Sequence, residues 1–300
     1  APPRVLGVIE YGQSNSEGQA MNAAAVLHAV YPDGLRMPRT AAGNVWLGQA
    51  TVGGRSFASD AVAGLAPLRG ARGSATHGTP AGESMVLRPA DRGRREIVLF
   101  NVAEGGQNIR NLARDAQPPY FGFRNLMRAA EAVDAALRRE AKRYVVPVVI
   151  MAQGESDAKQ ARLGALQERV RAEIEAGVQA ITGQREPVWL LPVQPSSFGA
   201  HADGVCSILD QHLRSLAQDG AYFCLGPTYN FPFARDYLHH RSEGQAVRGE
   251  FYAVSFESLQ RGERWDVLRA VAASVTGPSQ VAVKLSEPAE GGHLAAAAPL

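Results

Sequence analysis

A serine, a histidine and an aspartate stand where an α/β fold could bring them together. Ser14 lies in the Gly-Gln-Ser-Asn segment 12–15, directly after the mostly apolar run 5–11, and Asp236 and His239 lie near the other end of the chain. A serine after the first strand of an open α/β sheet stands at the carboxyl edge, where such folds bind ligands. A histidine with a carboxylate can activate a serine hydroxyl. The pattern predicts an ester hydrolase with a serine nucleophile.

Composition and charge exclude several classes of protein. The chain has 300 residues, of which 45% are hydrophobic and 20% charged. These values are typical of a globular enzyme with one large domain. The net charge of +2, without a dense basic stripe, argues against nucleic-acid and membrane-surface partners. No apolar run approaches the roughly 20 residues that a membrane span needs, so we expect a soluble protein.

Two other features of the chain leave its compartment open. It begins Ala1-Pro2-Pro3, without an initiating Met or a signal-peptide pattern, which suggests a trimmed or mature form. We favour a secreted, cell-surface or virion-associated location over the cytoplasm. Cys206 and Cys224 each lie in an apolar stretch, where free buried thiols are common, and we predict that both are free rather than bridged.

Apolar runs and helical periodicities alternate along the chain. Five runs rich in Val, Ile, Leu or Phe read as buried strands, at 4–11, 95–103, 145–152, 187–193 and 221–226. Helical spacing of apolar residues runs from Phe123 to Leu137 and from Leu163 to Val178, and segments 206–218 and 243–260 read as two more helices. Alternating strands and helices predict a three-layer α/β/α sandwich with a parallel sheet.

Two segments depart from this alternation. Residues 33–93 are rich in Gly, Ala, Pro and Arg and weak in periodicity, so we interpret them as a long loop insertion over the carboxyl edge of the sheet, where it shapes a substrate cleft or is functionally silent. We place the domain at residues 1–265. Residues 266–300 form a short C-terminal extension whose segment 280–285 resembles the start of a small β element.

Four motifs in order along the chain carry a family resemblance. They are Gly-Gln-Ser-Asn at 12–15, Gly-Gly-Gln at 105–107, Gln-Gly-Glu-Ser-Asp at 153–157, and Asp-x-x-His at 236–239. Together they resemble the SGNH hydrolases, and within them the sialate O-acetylesterase and carbohydrate esterase family six branch. The resemblance spans roughly residues 5–260. It implies a flavodoxin-like α/β fold, an acetylated carbohydrate as substrate and no cofactor.

Ser14 is the proposed nucleophile under this resemblance. A neutral hydroxyl attacks an ester only when a neighbouring base takes its proton. The alternative is a structural role, because Ser14 followed by Glu17 also fits a helix capping box.

His239 is the proposed base, because the family's Asp-x-x-His spacing from Asp236 selects it over its neighbour His240. Asp236 would then accept the protonated ring nitrogen and fix the tautomer. His240 would be a rim or packing residue.

Negative charge on the substrate carbonyl oxygen needs preorganised donors. The resemblance implies the backbone N–H groups of Ser14 and Gly106 and the side-chain amide of Gln153, with Gly105 in a supporting position. Glycine suits this loop because backbone can approach the substrate closely, although an ordinary turn glycine is the plain alternative.

The third motif departs from the wider superfamily, which carries Asn where this chain has Ser156. The sialate-esterase branch reads Gln-Gly-Glu there, so Gln153 takes the donor role. Gln13, Asn15 and Glu155 are candidate supporting residues, and Glu155 could equally accept backbone N–H groups. In the second motif Gln107 stands where Thr or Ser often follows the glycines.

Other functions fit the sequence less well. The turn after the first strand lacks the G-x-G-x-x-G pattern of dinucleotide-binding proteins, and no H-E-x-x-H or paired-Cys spacing suggests zinc, so we expect no cofactor and no metal. One rival is a non-catalytic glycan-binding module on a virion or cell-surface appendage. Another is a lipase or thioesterase of the same superfamily. Under any of these functions the chain could be part of a larger protein or of a surface or virion assembly.

Overall fold

The computed structural model of the protein describes residues 2–18, 34–40, 62–68, 80–87, 96–157, 159–195, 220–226, 228, 231–263 and 270–286. The chain forms two compact units, residues 1–254 and 255–300. Within the described ranges, no helix has both the length and the apolar character that a membrane span requires.

A six-stranded sheet forms the centre of the first unit. Its strands are β1 (Arg4–Gly12), β2 (Leu35–Thr40), β3 (Val62–Pro67), β4 (Glu96–Asn101), β5 (Arg143–Ala152) and β6 (Trp189–Pro192). Their spatial order is β3-β2-β4-β1-β5-β6, and only the β2–β3 pair is antiparallel. Because β1 lies between β4 and β5, residues that follow it reach the middle of the sheet's carboxyl edge, where ligands bind in such folds.

The helices confirm most of the predicted pattern. They are α1 (Ser14–Glu17), α2 (Pro80–Val86), α3 (Gly122–Arg139), α4 (Leu163–Thr182) and α5 (Ser242–Gln260), with short 3-10 turns at Ile109–Leu112 and Glu155–Asp157. Apolar spacing predicted α3 and α4, and α5 corresponds to the further helix predicted at 243–260. The helix predicted at 206–218 lies outside the described residues.

Both faces of β1 are covered, which explains its nearly continuous apolar sequence. Val5 and Ile9 pack in one buried cluster with Leu126 of α3 and Ile174 of α4. Successive strand residues point to opposite faces. Glu10 therefore faces the other side, where it is hydrogen-bonded to residues of α2 and α5. The predicted three-layer α/β/α arrangement is confirmed.

The segment 33–93 differs from the predicted loop insertion. It contributes β2 and β3 at one edge of the sheet and the helix α2. These strands are hard to find in the sequence, because β2 reads Leu-Arg-Met-Pro-Arg-Thr and β3 reads Val-Ala-Gly-Leu-Ala-Pro. Neither has the dense Val, Ile, Leu and Phe content of the predicted buried strands, and β3 is only half-buried. Residues 41–61, 69–79 and 88–95 lie outside the described residues, and so does any part of the predicted cleft that they form.

The run 221–226, which was predicted as a strand, lies beside β6 but does not form a regular strand. Backbone hydrogen bonds join it to β6 from Leu190 to Ala221 and from Leu225 to Pro192. Cys224 in this run is a free, buried thiol whose pKa burial raises to about 12. The free state predicted for Cys224 is thus confirmed, and Cys206 lies outside the described residues.

The second unit contains an antiparallel hairpin of β7 (Ala270–Gly277) and β8 (Gln280–Leu285). The β element predicted at 280–285 is confirmed. Its partner strand was not predicted, since the sequence Ala-Val-Ala-Ala-Ser-Val-Thr-Gly carries mostly small residues. The predicted boundary between residues 265 and 266 lies outside the described residues.

Candidate active site

The turn after β1 presents Ser14 because only glycine fits at position 12, the last residue of the strand. Gly12 has a φ of +123°, and a Cβ on it would lie 2.5 Å from the carbonyl oxygen of Ala152. The chain therefore turns sharply, and Ser14 begins α1. The N-cap of α1 is Gln13, whose side chain makes no capping hydrogen bond. The alternative reading of Ser14 as the capping residue is wrong.

The loop after Phe233 brings a histidine and an aspartate to this serine. His239 Nε2 lies 2.8 Å from Ser14 Oγ, and His239 Nδ1 lies 2.6 Å from Asp236 Oδ2. The histidine side chain is buried, whereas that of Asp236 is 45% exposed. The structure thus joins the three residues in one row of hydrogen bonds, in the order that the sequence spacing suggested.

Local hydrogen bonds fix the carboxylate of Asp236. Its Oδ1 accepts the backbone N–H groups of Leu238 and His239, each at 3.0 Å. Tyr237, between Asp236 and Leu238, has a φ of +53°, so the backbone turns back toward the Asp236 carboxylate. Burial raises the pKa of Asp236, but the hydrogen bonds from the His239 ring and from the two N–H groups outweigh burial and hold the pKa below its ordinary value.

His240 lies apart from this row. Its ring packs against Phe233, with centroids 4.7 Å apart, and against Phe231 at 5.8 Å. The pKa of His240 is lowered to about 3, mainly by burial and also by the positive charge of Arg248. A ring that stays neutral among aromatic side chains fits the predicted packing role.

The Gly-Gly-Gln motif forms a tight turn beside the nucleophile. Gly106 has a φ of +74°, in the left-handed region. A Cβ on Gly105 would collide with the carboxyl of Glu17, so this glycine allows a close approach of the two segments. Gln107 Nε2 donates to the carbonyl oxygen of Gly105 at 3.2 Å, which keeps the turn closed.

The side-chain amide of Gln153 donates to groups of its own motif and of the Gly-Gly-Gln loop. Its Nε2 lies 2.9 Å from the carbonyl oxygen of Gln107, 2.5 Å from Asp157 Oδ2 and 3.3 Å from Gln13 Oε1. An amide nitrogen has two protons. The two shorter bonds use both of them, so this geometry does not support the predicted role of Gln153 as an oxyanion donor.

Glu155 ties the first and third motifs together. Its Oε2 accepts a short hydrogen bond from Gln13 Nε2, and its Oε1 accepts one from Asn15 Nδ2 at 2.7 Å. Ser156 contributes only its backbone N–H, which donates to Gln13 Oε1 at 3.2 Å. Gln13, Asn15 and Glu155 therefore lie where supporting residues were predicted, behind the serine.

Sequence reasoning missed Asp157. Besides Gln153, its carboxylate accepts the backbone N–H of Ile109, at 3.0 and 3.1 Å from its two oxygens. Burial raises the pKa of Asp157 to about 6, although its hydrogen bonds lower it. A carboxylate at the end of the Gln-Gly-Glu-Ser-Asp motif was the signal that could have found it.

A pair of buried carboxyls lies beneath the same turn. Glu104 Oε2 accepts the N–H groups of Phe121 and Gly122, at 2.9 and 2.7 Å. Burial raises the pKa of Glu17 to about 8, and the nearby charge of Glu104 raises it too. No group of three or more His, Cys, Asp or Glu residues in the described part of the chain could hold a metal ion.

Several solved structures share the fold of this chain, and one of them is a carbohydrate acetylesterase. NanS matches with a TM-score of 0.57 and 11% identity, over 88% of this chain and 99% of NanS. A protein from Arabidopsis thaliana matches with a TM-score of 0.54 and 17% identity, over 86% of this chain and 99% of that one. XAC1771, a carbohydrate acetylesterase from Xanthomonas citri, matches with a TM-score of 0.52 and 17% identity, over 90% of this chain and 60% of XAC1771.

Sequence comparison adds no closer relative. No protein-family model matches the chain, and no curated protein matches it. The structural likeness establishes the fold, which this chain shares with a carbohydrate acetylesterase. The predicted resemblance is thus supported at the level of the fold alone.

Proposed function

We propose that the protein is a serine esterase that removes O-acetyl groups from carbohydrate. The observation that carries this proposal is the row of hydrogen bonds from Ser14 Oγ through the His239 ring to Asp236. A nucleophile within reach of a base, and a base oriented by a third group, is the arrangement that acyl transfer needs.

In the proposed mechanism, Ser14 Oγ attacks the ester carbonyl while His239 Nε2 takes its proton. The tetrahedral intermediate collapses to an acetyl-serine, and His239 returns the proton to the departing sugar hydroxyl. Water then attacks the acetyl-serine with His239 again as base, which releases acetate. Asp236 holds the ring in the correct tautomer and stabilises the imidazolium.

The backbone N–H groups of Ser14 and Gly106 are the proposed donors to the oxyanion. Each such donor contributes about 3 to 4 kcal/mol to the transition state in a water-excluded site. Gln153 is instead assigned to hold the carbonyl of Gln107, one residue beyond Gly106, and so to fix the loop that carries the second donor.

The proposed substrate class is an acetylated sugar, such as a sialic acid, a capsule or another polysaccharide. Two observations support it: the four motifs of the sequence, and the fold shared with XAC1771, a carbohydrate acetylesterase. A short acyl group is part of this proposal, because the ester of an O-acetylated sugar carries only an acetyl chain.

Two measurements test this proposal. Hydrolysis rates on p-nitrophenyl esters from acetate to octanoate should fall steeply beyond butyrate, and acetate should be released from O-acetylated glycans by the wild type but not by Ser14→Ala. Equal or faster turnover of octanoate would point to a lipase or thioesterase. Glycan binding without acetate release would point to a non-catalytic binding module.

A further inference from the structure

A fully buried arginine lies behind the nucleophile turn. Arg248, on α5, has a side chain that is 0% exposed. Its Nη2 donates to the backbone carbonyl oxygen of Asn15 at 2.8 Å and lies 3.4 Å from Glu10 Oε1. A charge removed from water is costly unless it is well paired and hydrogen-bonded. The geometry of this pair therefore decides whether it stabilises the fold.

The pairing with Glu10 is poor as a stabilising interaction. A single long contact joins the two groups, and Nε and Nη1 of Arg248 make no hydrogen bond to any described residue. The second carboxyl oxygen of Glu10 accepts the N–H of Gly82 at 3.3 Å. Burial raises the pKa of Glu10 to about 8, against the lowering effects of Arg248 and Gly82.

The neighbours of Arg248 on α5 are equally costly to the fold. Ser242 and Gln245 lie on the same face, at spacings of three residues, and both are 0% exposed. The Ser242 hydroxyl and both polar atoms of the Gln245 amide make no hydrogen bond within the described ranges. Buried polar groups without partners destabilise a protein. A gain in stability therefore does not explain why Ser242, Gln245 and Arg248 are buried on this face of α5.

The short bond of Arg248 supplies a donor to a backbone carbonyl of α1. Helix ends leave carbonyl groups without intrahelical partners. In this one-turn helix the Ser14 carbonyl accepts the N–H of Gly18, and that of Ser16 accepts Asn101 Nδ2 at 2.6 Å. Arg248 supplies the donor for a third carbonyl, that of Asn15.

Asn15 in turn holds both sides of the proposed base. Its Oδ1 accepts the backbone N–H of His240 at 3.0 Å, and its Nδ2 donates to the carbonyl oxygen of Leu238 at 3.2 Å. These two residues flank His239. Asn15, whose carbonyl oxygen accepts the hydrogen bond from Arg248, is therefore covalently linked to Ser14. Its side chain also fixes the loop that carries His239.

We propose that Arg248 is a positioning residue that sets the Ser14–His239 geometry through the backbone carbonyl of Asn15. This inference rests on the proposed esterase function. Misplacement of reacting groups by about 1 Å can cost on the order of 100-fold in rate. Loss of the bond to Asn15 should therefore lower kcat with little change in KM.

The test compares Arg248→Met, Arg248→Lys and the double variant Glu10→Leu/Arg248→Met with the wild type. Arg248→Met should lower kcat on p-nitrophenyl acetate by roughly 10- to 100-fold, with KM within about 3-fold. Arg248→Lys keeps one donor and the charge, so it should retain more of kcat. The rate at which a fluorophosphonate labels Ser14 should fall in parallel, since it reports nucleophile activation without a carbohydrate substrate.

The double variant distinguishes a positioning role of Arg248 from a contribution of the Glu10–Arg248 pair to folding stability. Replacing a buried ion pair by apolar residues of similar volume is often neutral or stabilising. We expect its Tm to equal or exceed that of the wild type while kcat stays low. Recovery of both Tm and kcat would show a purely structural pair and overturn the inference. The double variant also provides the answer if Arg248→Met alone does not fold.

Tyr252→Phe is the matched control. Tyr252 is buried on the same helix, but its hydroxyl donates to the carbonyl oxygen of Met151 on β5, at 2.9 Å, rather than to the nucleophile turn. It should change kcat by less than about 2-fold. A wild type with neither esterase activity nor Ser14 labelling would instead overturn the proposed function, and this inference with it. An active wild type with Arg248→Met unchanged in kcat overturns the inference alone.

Discussion

The two faces of β1 bury different chemistry. On one face Val5 and Ile9 pack with Leu126 and Ile174, and all four are fully buried and apolar. Each such side chain contributes roughly 1.5 to 3 kcal/mol when removed from water. On the other face, Glu10 lies against α2 and α5 with incompletely bonded polar neighbours.

We infer from this contrast that the two faces of β1 have different roles. The apolar face stabilises the fold, and the polar face gives up stability for hydrogen bonds that end at the nucleophile turn. Substitutions on the first should therefore change unfolding and spare kinetics. Those on the second should do the reverse.

The largest kinetic effect is expected at the histidine loop. His239→Ala should lower kcat on p-nitrophenyl acetate by at least about 10⁴-fold, because the nucleophile loses its base. The Tm should change little, since His239 lies in a loop and not in the buried apolar cluster that packs between the sheet, α3 and α4. Steady-state kinetics and calorimetry on the same preparation measure both.

His240→Ala is the neighbouring control. It removes a ring packed against Phe231 and Phe233 but leaves the backbone N–H that bonds to Asn15. It should lower Tm and leave kcat within about 10-fold of the wild type. If His240→Ala lost the larger share of kcat, the assignment of the base would be wrong.

The largest stability effect is expected on the apolar face. Leu126→Ala should reduce the free energy of unfolding by about 2 to 5 kcal/mol, because it leaves a cavity between α3 and the sheet. Denaturant unfolding gives this value, and kcat per folded active site should stay near that of the wild type. A large loss of kcat in folded protein would contradict the division between the two faces.

A smaller effect is expected for the pair Gln153 and Asp157. If they hold the Gln107 carbonyl as one unit, Gln153→Ala and Asp157→Asn should each lower kcat by roughly 10-fold, and the double variant should be no worse than either single variant. A loss of 10² or more in Gln153→Ala alone, with Asp157→Asn unchanged, would restore the oxyanion-donor role for Gln153.

The smallest effect concerns pH and stability. The folded-state pKa of Glu17 is raised to about 8 by burial and by Glu104, so the folded state holds a proton that the unfolded state has lost from about pH 4.5 upward. Wild-type stability should therefore fall as pH rises from 4.5 to 8. Glu17→Gln lacks this loss and should gain a few degrees in Tm relative to the wild type at pH 8, but not at pH 4.5. Parallel Tm curves across this range would contradict the raised pKa.

The sequence predicted those parts whose signal is local. Buried strands such as β1 and β5 are continuous apolar runs, and α3 and α4 repeat apolar residues at helical spacing. The row of Ser14, His239 and Asp236 was also predictable, because motif spacing identified each member.

The rest depends on which groups meet in space. The partners of the Gln153 amide come from two other loop positions, Gln107 and Asp157, so its orientation does not follow from the motif. The strand β2, which lies between β3 and β4, has no apolar run, because it contains Pro38 and two arginines. Arg248 is an ordinary residue in a helical sequence until its contact with Asn15 is seen.

Labelling with a fluorophosphonate shows directly whether Ser14 is a nucleophile that His239 activates. The serine esterase account predicts one phosphonate per chain, located on Ser14 by peptide mass mapping, with a labelling rate at least about 10³-fold lower in His239→Ala. Modification of another residue, no modification at all, or an equal rate in the His239 variant would contradict the account.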